Sequence, residues 1–204
     1  MIEKILACAL NVCVIVAFVL AADDEARRQS LPLRFGGVAT AAALAFGSIG
    51  GALLANAGAA WEKAGITVGL AAAIVCAVTD AQTGYVFDRV TRPALIAIVA
   101  CAAIGGTLPA AIAGGASGGG ILLALFAASG GRGIGLGDVK LAACIGASLG
   151  AFGAAVALGA AFVLGGAYGL YQLATGRASR GDAIRFAPYL TSGMVLALLL
   201  GAVA

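Results

Sequence analysis

The chain has 204 residues, of which 62% are hydrophobic and 10% charged, with 32 glycines and no histidine. Soluble domains carry roughly 25% charge and show water a polar surface, so this composition excludes a soluble globular enzyme, a disordered chain and a porin-type barrel. The missing histidine excludes HExxH metalloproteases, Ser-His and Cys-His nucleophile pairs and His-ligated haem. A net charge of +3, from 12 basic and 9 acidic residues, leaves no nucleic-acid footprint.

The length suits an all-α polytopic membrane bundle, because about 20 helical residues cross a ~30 Å hydrocarbon core and eight crossings use about 160. Span 1 is expected over Ile5–Ala22, span 2 over Gly36–Ala57, span 3 over Ile66–Thr79 and span 4 over Pro93–Ile112. A glycine-rich turn at Gly114–Gly120 then leads into span 5, which ends near Ser129. Span 6 is expected from Asp138 to Leu149, span 7 from Ala154 to Ala174 and span 8 from Pro188 to Val203. Spans 3, 5 and 6 are short, and only Gly150 and Gly153 suggest a turn between spans 6 and 7. Residues 1–204 read as a single membrane domain with no linker or soluble unit, 1–60 supplying two N-terminal helices and 61–204 the rest.

Basic residues orient these spans. Arg27, Arg28 and Arg34 lie in loop 1–2, Arg89 and Arg92 in loop 3–4, Arg132 and Lys140 around loop 5–6, and Arg177, Arg180 and Arg185 in loop 7–8. Positive residues stay cytoplasmic, so these loops are expected to face the cytoplasm and both termini the outside. A cleaved signal peptide at span 1 would export 23–34 against that pattern. Trp61, Tyr168 and Tyr171 suit interfacial belts. Cys8, Cys13, Cys76, Cys101 and Cys144 form no CxxC pair and suit buried packing. Glycines spaced by four suit close helix packing and leave the oligomeric state open.

Ionisable residues inside a membrane are costly and point to function. Asp80 ends span 3, and Asp138 opens span 6 within Gly135-Leu136-Gly137-Asp138-Val139-Lys140-Leu141. The topology brings both to the cytoplasmic face. Two carboxyls at one depth can act as base and acid: the ionised one takes a proton from water, and the protonated one polarises the scissile carbonyl and protonates the leaving amine. This needs no metal or cofactor. Gly135 and Gly137 leave room for a substrate backbone beside Asp138. The structural alternatives are a helix N-cap for Asp138, a turn cap or a pairing with Arg89 or Arg92 for Asp80, and snorkelling to lipid phosphate for Lys140, which could instead help hold the carboxylate pair. Arg177–Arg185 reads as a positive-inside anchor. A Ser-Lys protease is discounted because no lysine sits in a span one turn from a serine. A transporter or proton channel using the two aspartates would spread polar residues through the mid-membrane, where Asn11 and Asn56 are the main exceptions.

GLGDVKL resembles the GxGD signature of the type IV prepilin leader peptidases. Thr79-Asp80-Ala81-Gln82-Thr83-Gly84-Tyr85-Val86 is similar to that family's first catalytic aspartate with its Thr-Gly segment, and Phe186-Ala187-Pro188-Tyr189-Leu190 resembles its Phe-x-Pro element. The three matches keep the family's order over 64–204. The resemblance implies a cofactor-free aspartic endopeptidase of the bacterial inner membrane, with Asp80 and Asp138 catalytic and Gly135, Gly137 and Lys140 supporting. The implied partners are membrane lipid and a prepilin, whose basic leader is removed at the cytoplasmic face, typically after glycine. A non-catalytic pilus-assembly subunit with the same fold is the alternative. The family's Ile-Pro-Asn-like segment reads Val86-Phe87-Asp88 here, which makes Asp88 a rival for one catalytic role, although beside Arg89 it reads as a solvated loop charge. Larger members carry a cysteine-bearing domain between the first two helices, linked to N-methylation. With only a short charged loop there, the chain resembles the minimal Tad/Flp-like form, for which methylation is not expected.

Overall fold

The computed structural model describes residues 2–33, 60–131, 133–177, 179 and 184–203, with side chains from Cys13 onward. Span 2 and Cys8's packing lie outside the described residues. Among the described residues, six helical elements follow in order: α1 (Ile2–Arg28), α2 (Ala60–Thr83), α3 (Asp88–Gly105), α4 (Leu108–Ala128), α5 (Leu136–Ala174) and α6 (Ala187–Leu199). No strand occurs among the described residues. Among the described residues, three helices, α2, α4 and α5, are long and apolar enough to cross a membrane.

The helix of span 1 runs past its apolar stretch to Arg28. Arg27 pairs with Asp23 at 2.8 Å and Arg28 with Asp24 at 3.0 Å, both i,i+4 contacts that continue a helix into water. At 24 and 21 residues, α2 and α4 are longer than the short spans expected there.

The glycine-rich turn expected at Gly114–Gly120 is not a turn. The chain reverses earlier, at Gly105–Thr107, where Gly106 takes the left-handed conformation (φ 77°) that ends α3, and Pro109 lies in the first turn of α4. Gly114–Gly120 instead lies within α4, against α5. A β-carbon on Gly114 would come within 2.0 Å of the Gly146 carbonyl oxygen. Gly114, Gly115, Gly118 and Gly119 serve backbone approach, which drives helix association where lipid removes the hydrophobic incentive.

The weak boundary between spans 6 and 7 is a sharp break inside α5. Gly150 has φ 76° and ψ 177°, a region open essentially to glycine alone. It divides α5 into arms 136–149 and 151–174. A β-carbon on Gly146 would lie 3.3 Å from that of Ala154, whereas eight residues of straight helix span about 12 Å. The arms therefore fold back on one another.

The central element is α2. Its residues from Leu70 to Cys76 are all buried, as expected of a helix apolar on every side and surrounded by others. It touches α1, α3, α5 and α6. Of the cysteines, Cys76 and Cys144 are buried and Cys101 is half-buried, but Cys13 is exposed on α1, against expectation. A small apolar thiol meets no penalty on the outward face of an apolar helix.

Side-chain contacts gather the basic segments at one end. Arg89 bonds Asp24 at 2.5 Å and Glu25 at 2.7 Å, joining the start of α3 to the end of α1. Lys140 bonds Asp88, joining α5 to α3, and Arg185 donates to the Ala81 carbonyl, joining the approach to α6 with the end of α2. All four basic segments of the sequence thus have described members at the same end.

Candidate active site

At that end, Asp80, Gly84, Gly131, Gly133, Ile134, Gly135, Asp138, Ile184, Arg185 and Phe186 line a cleft of about 320 Å³. The two aspartates reach it from opposite helix polarities. Asp80 lies in the last turn of α2, close to its negative dipole end, and Asp138 in the first turn of α5, at a positive one.

Asp80 is 6% exposed, and its Oδ2 accepts a hydrogen bond from the Ala187 amide at 3.2 Å. That amide belongs to the first residue of α6, one of the donors a helix leaves unsatisfied at its start. Asp80 makes no ion pair with Arg89 or Arg92: Arg89 is committed to α1, and Arg92 bonds Asp88 at 2.5 Å.

Asp138 does part of a capping job. Gly135 is the N-cap residue, and its amide donates to Asp138 Oδ2 at 3.3 Å. The other oxygen, Oδ1, is buried and has no hydrogen-bond partner among the described residues. Capping therefore accounts for one carboxyl oxygen and leaves the other unpartnered beside the cleft.

The glycines divide their work. Gly135 lines the cleft, while a β-carbon on Gly137 would meet the Val86 β-carbon at 2.7 Å. Gly137 therefore makes room for the chain's own 84–87 segment. The substrate-access role expected for both glycines fits Gly135 only.

Lys140 and Asp88 explain each other. Lys140 Nζ lies 2.5 Å from Asp88 Oδ1, and Arg92 holds Oδ2. Snorkelling is thus not the use of Lys140, and Asp88 is no free loop charge: it opens α3 and ties it to the first turn of α5. The Lys140 hydrogen bond, then the charges of Lys140 and Arg92, hold the Asp88 carboxyl below its ordinary range despite partial desolvation. About one turn further on, the Cys144 thiol donates to the Thr91 carbonyl at 3.4 Å, a second tie between the same helices.

Arg185 belongs to the segment whose charge suits a membrane anchor, yet it lines the cleft. Its signal in the sequence was its position immediately before the Phe-x-Pro element. Arg177 does behave as a surface residue, stacked over Tyr171 at 5.8 Å. Trp61, Tyr168 and Tyr171 are exposed. Among the described residues, no group of three His, Cys, Asp or Glu side chains is placed to hold a metal ion.

Two carboxyls share one glycine-walled cleft, each fixed through one oxygen by a helix-terminal amide. The family model of the type IV leader peptidases matches residues 67–170, a stretch that contains both. The chain belongs to the type IV leader peptidase family. It is similar to the prepilin leader peptidase/N-methyltransferases of Burkholderia pseudomallei strains 1026b and K96243, each 35% identical over 184 residues, or 86% of this chain and 55% of theirs. The chain thus spans about half the length of the curated relatives it matches. No solved structure matches it.

Proposed function

We propose that the chain is a membrane-embedded aspartic endopeptidase that removes the basic leader of a type IV prepilin, with Asp80 and Asp138 as the catalytic pair. The observation that carries this reading is the shared cleft, in which a buried Asp138 oxygen has no partner among the described residues. Two carboxyls facing one cleft can divide the work, one ionised as base and the other protonated as acid. The base takes a proton from a water molecule as that water attacks the scissile carbonyl. The acid hydrogen-bonds the carbonyl oxygen and then protonates the departing amine. The glycine wall admits an extended peptide backbone, and no metal or cofactor enters any step.

The reading includes the orientation. The end that carries the cleft also carries the basic segments, and positive residues stay cytoplasmic. A substrate helix lying in the inner membrane would then present its leader to the cleft from the cytoplasm. The family membership favours this over an ion or proton pathway.

Leader processing by Asp80→Asn and Asp138→Asn variants tests the proposal. Each is expected to lose activity by a factor on the order of 10²–10⁴, the usual worth of a general acid or base. Normal processing by both would refute the pair.

A further inference from the structure

The C-terminal end of α2 is an awkward place for a negative charge. The helix dipole is negative there, and the last turn of α2 contains no basic residue of its own. One of its carbonyls also lacks its usual donor. The Tyr85 amide, four residues after Ala81, turns to the Thr83 hydroxyl at 3.2 Å. Asp80 nevertheless sits in this turn. Both deficits are met by 185–187, about a hundred residues away in the chain. Arg185 donates to the Ala81 carbonyl, and the Ala187 amide donates to Asp80 Oδ2. Arg185 also lines the cleft with Asp80 and Asp138, so it brings a cation to a site whose other charged groups, among the described residues, are two carboxyls.

We propose that Arg185 is a positioning residue for Asp80: its guanidinium caps α2 from outside the helix and supplies the positive charge that steadies the Asp80 carboxylate in the cleft. It acts through Asp80 and touches no reacting atom. Among the described residues, the charged groups that line the cleft with Asp80 are Asp138 and Arg185. The proposal rests on the peptidase reading for its kinetic test and stands apart from it in its chemical one.

Two variants separate charge from tether. Arg185→Gln retains a donor for the Ala81 carbonyl and loses the charge, whereas Arg185→Lys retains both. The full chain in detergent is given a synthetic peptide with a short basic leader, a glycine and an apolar segment. Arg185→Gln is expected to lower kcat by a factor on the order of 10², the cost of a misplaced reacting group, with KM within about 3-fold of the parent. Arg185→Lys is expected to recover most of kcat. Unchanged kcat in Arg185→Gln, a loss confined to KM, or equal losses in Gln and Lys would each overturn the proposal. A second readout needs no cleavage. Dicyclohexylcarbodiimide reacts with protonated carboxyls, and its attachment at Asp80 is followed by mass spectrometry at neutral pH. Labelling is expected to rise several-fold in Arg185→Gln and to return in Arg185→Lys. Equal labelling in parent and Arg185→Gln would overturn the proposal, whether or not the chain cleaves the peptide.

Discussion

Replacing Lys140 with Met removes the bond between the first turn of α5 and Asp88 while keeping the length of the side chain. The Lys140 and Asp88 side chains are 41% and 38% exposed, so water screens the pair and a buried-pair energy does not apply. Exposed pairs contribute about 0.2–1 kcal/mol. The 2.5 Å contact is close, but Arg92 still compensates Asp88 after the change. A loss of about 1 kcal/mol is therefore the upper expectation, equivalent to about a fivefold change in how well the Asp138 turn docks on α3. A double-mutant cycle with Asp88→Asn, Lys140→Met and the pair, read by thermal melting in detergent and by leader cleavage, isolates this term. The single variants are expected to lose up to about fivefold in kcat, and the double variant little more than either. Purely additive effects would refute the brace. A loss in Asp88→Asn equal to that in Asp80→Asn would move the catalytic assignment to Asp88. The pH dependence has a definite sign. Asp88 titrates below its ordinary value in the folded chain, so the contribution of the brace is full above the ordinary carboxylate pKa and is lost as pH falls through the depressed one. Between pH 5 and pH 8, about where carboxylates stay ionised, the coupling is expected to be constant.

Gly150→Ala forces a side chain into φ 76°, ψ 177° and is expected to cost about 1–3 kcal/mol, seen as a lower melting temperature in detergent. Unchanged melting would mean that the two arms of α5 form one continuous helix. Gly114→Val sets a branched side chain against the Gly146 backbone and is expected to abolish a well-folded product. Gly120→Ala meets nothing within 4 Å and is expected to be neutral or to stabilise α4 by up to about 1 kcal/mol. Similar effects from the two would refute the packing of α4 on α5. In a chain whose native cysteines are replaced by Ala, Thr175→Cys is expected to resist a membrane-impermeant maleimide added to intact cells, and ready labelling would reverse the proposed orientation.

Much was legible in the sequence because its signals are local. Composition dictates a chain of apolar helices, and the short runs of charge mark where those helices end. Asp80 and Asp138 stand out because each interrupts an apolar run, and the GxGD and Phe-x-Pro elements mark the segments that line the cleft. The glycines were harder to read. A glycine at a turn and a glycine at a helix contact look alike in sequence, so Gly114–Gly120 read as a turn although it lies inside α4. Gly106 and Gly150, with φ near 77° and 76°, are the residues that reverse the chain. The charges were legible as a set and not as pairs. Lys140 and Asp88 are 52 residues apart, and Arg185 and Ala81 are 104 apart. No periodicity in a sequence carries contacts at such separations.

The sequence by itself determined that the chain is built from apolar helices and which two carboxyls stand at the edge of the apolar core. Composition and charge act residue by residue, and they need no partner to be read. The tertiary structure alone decided that the two carboxyls share a cleft, that Lys140 is engaged with Asp88, and that Arg185 closes the end of α2. Those facts depend on which helix lies against which, and that is settled by backbone approach at small residues and by ion pairs between distant segments.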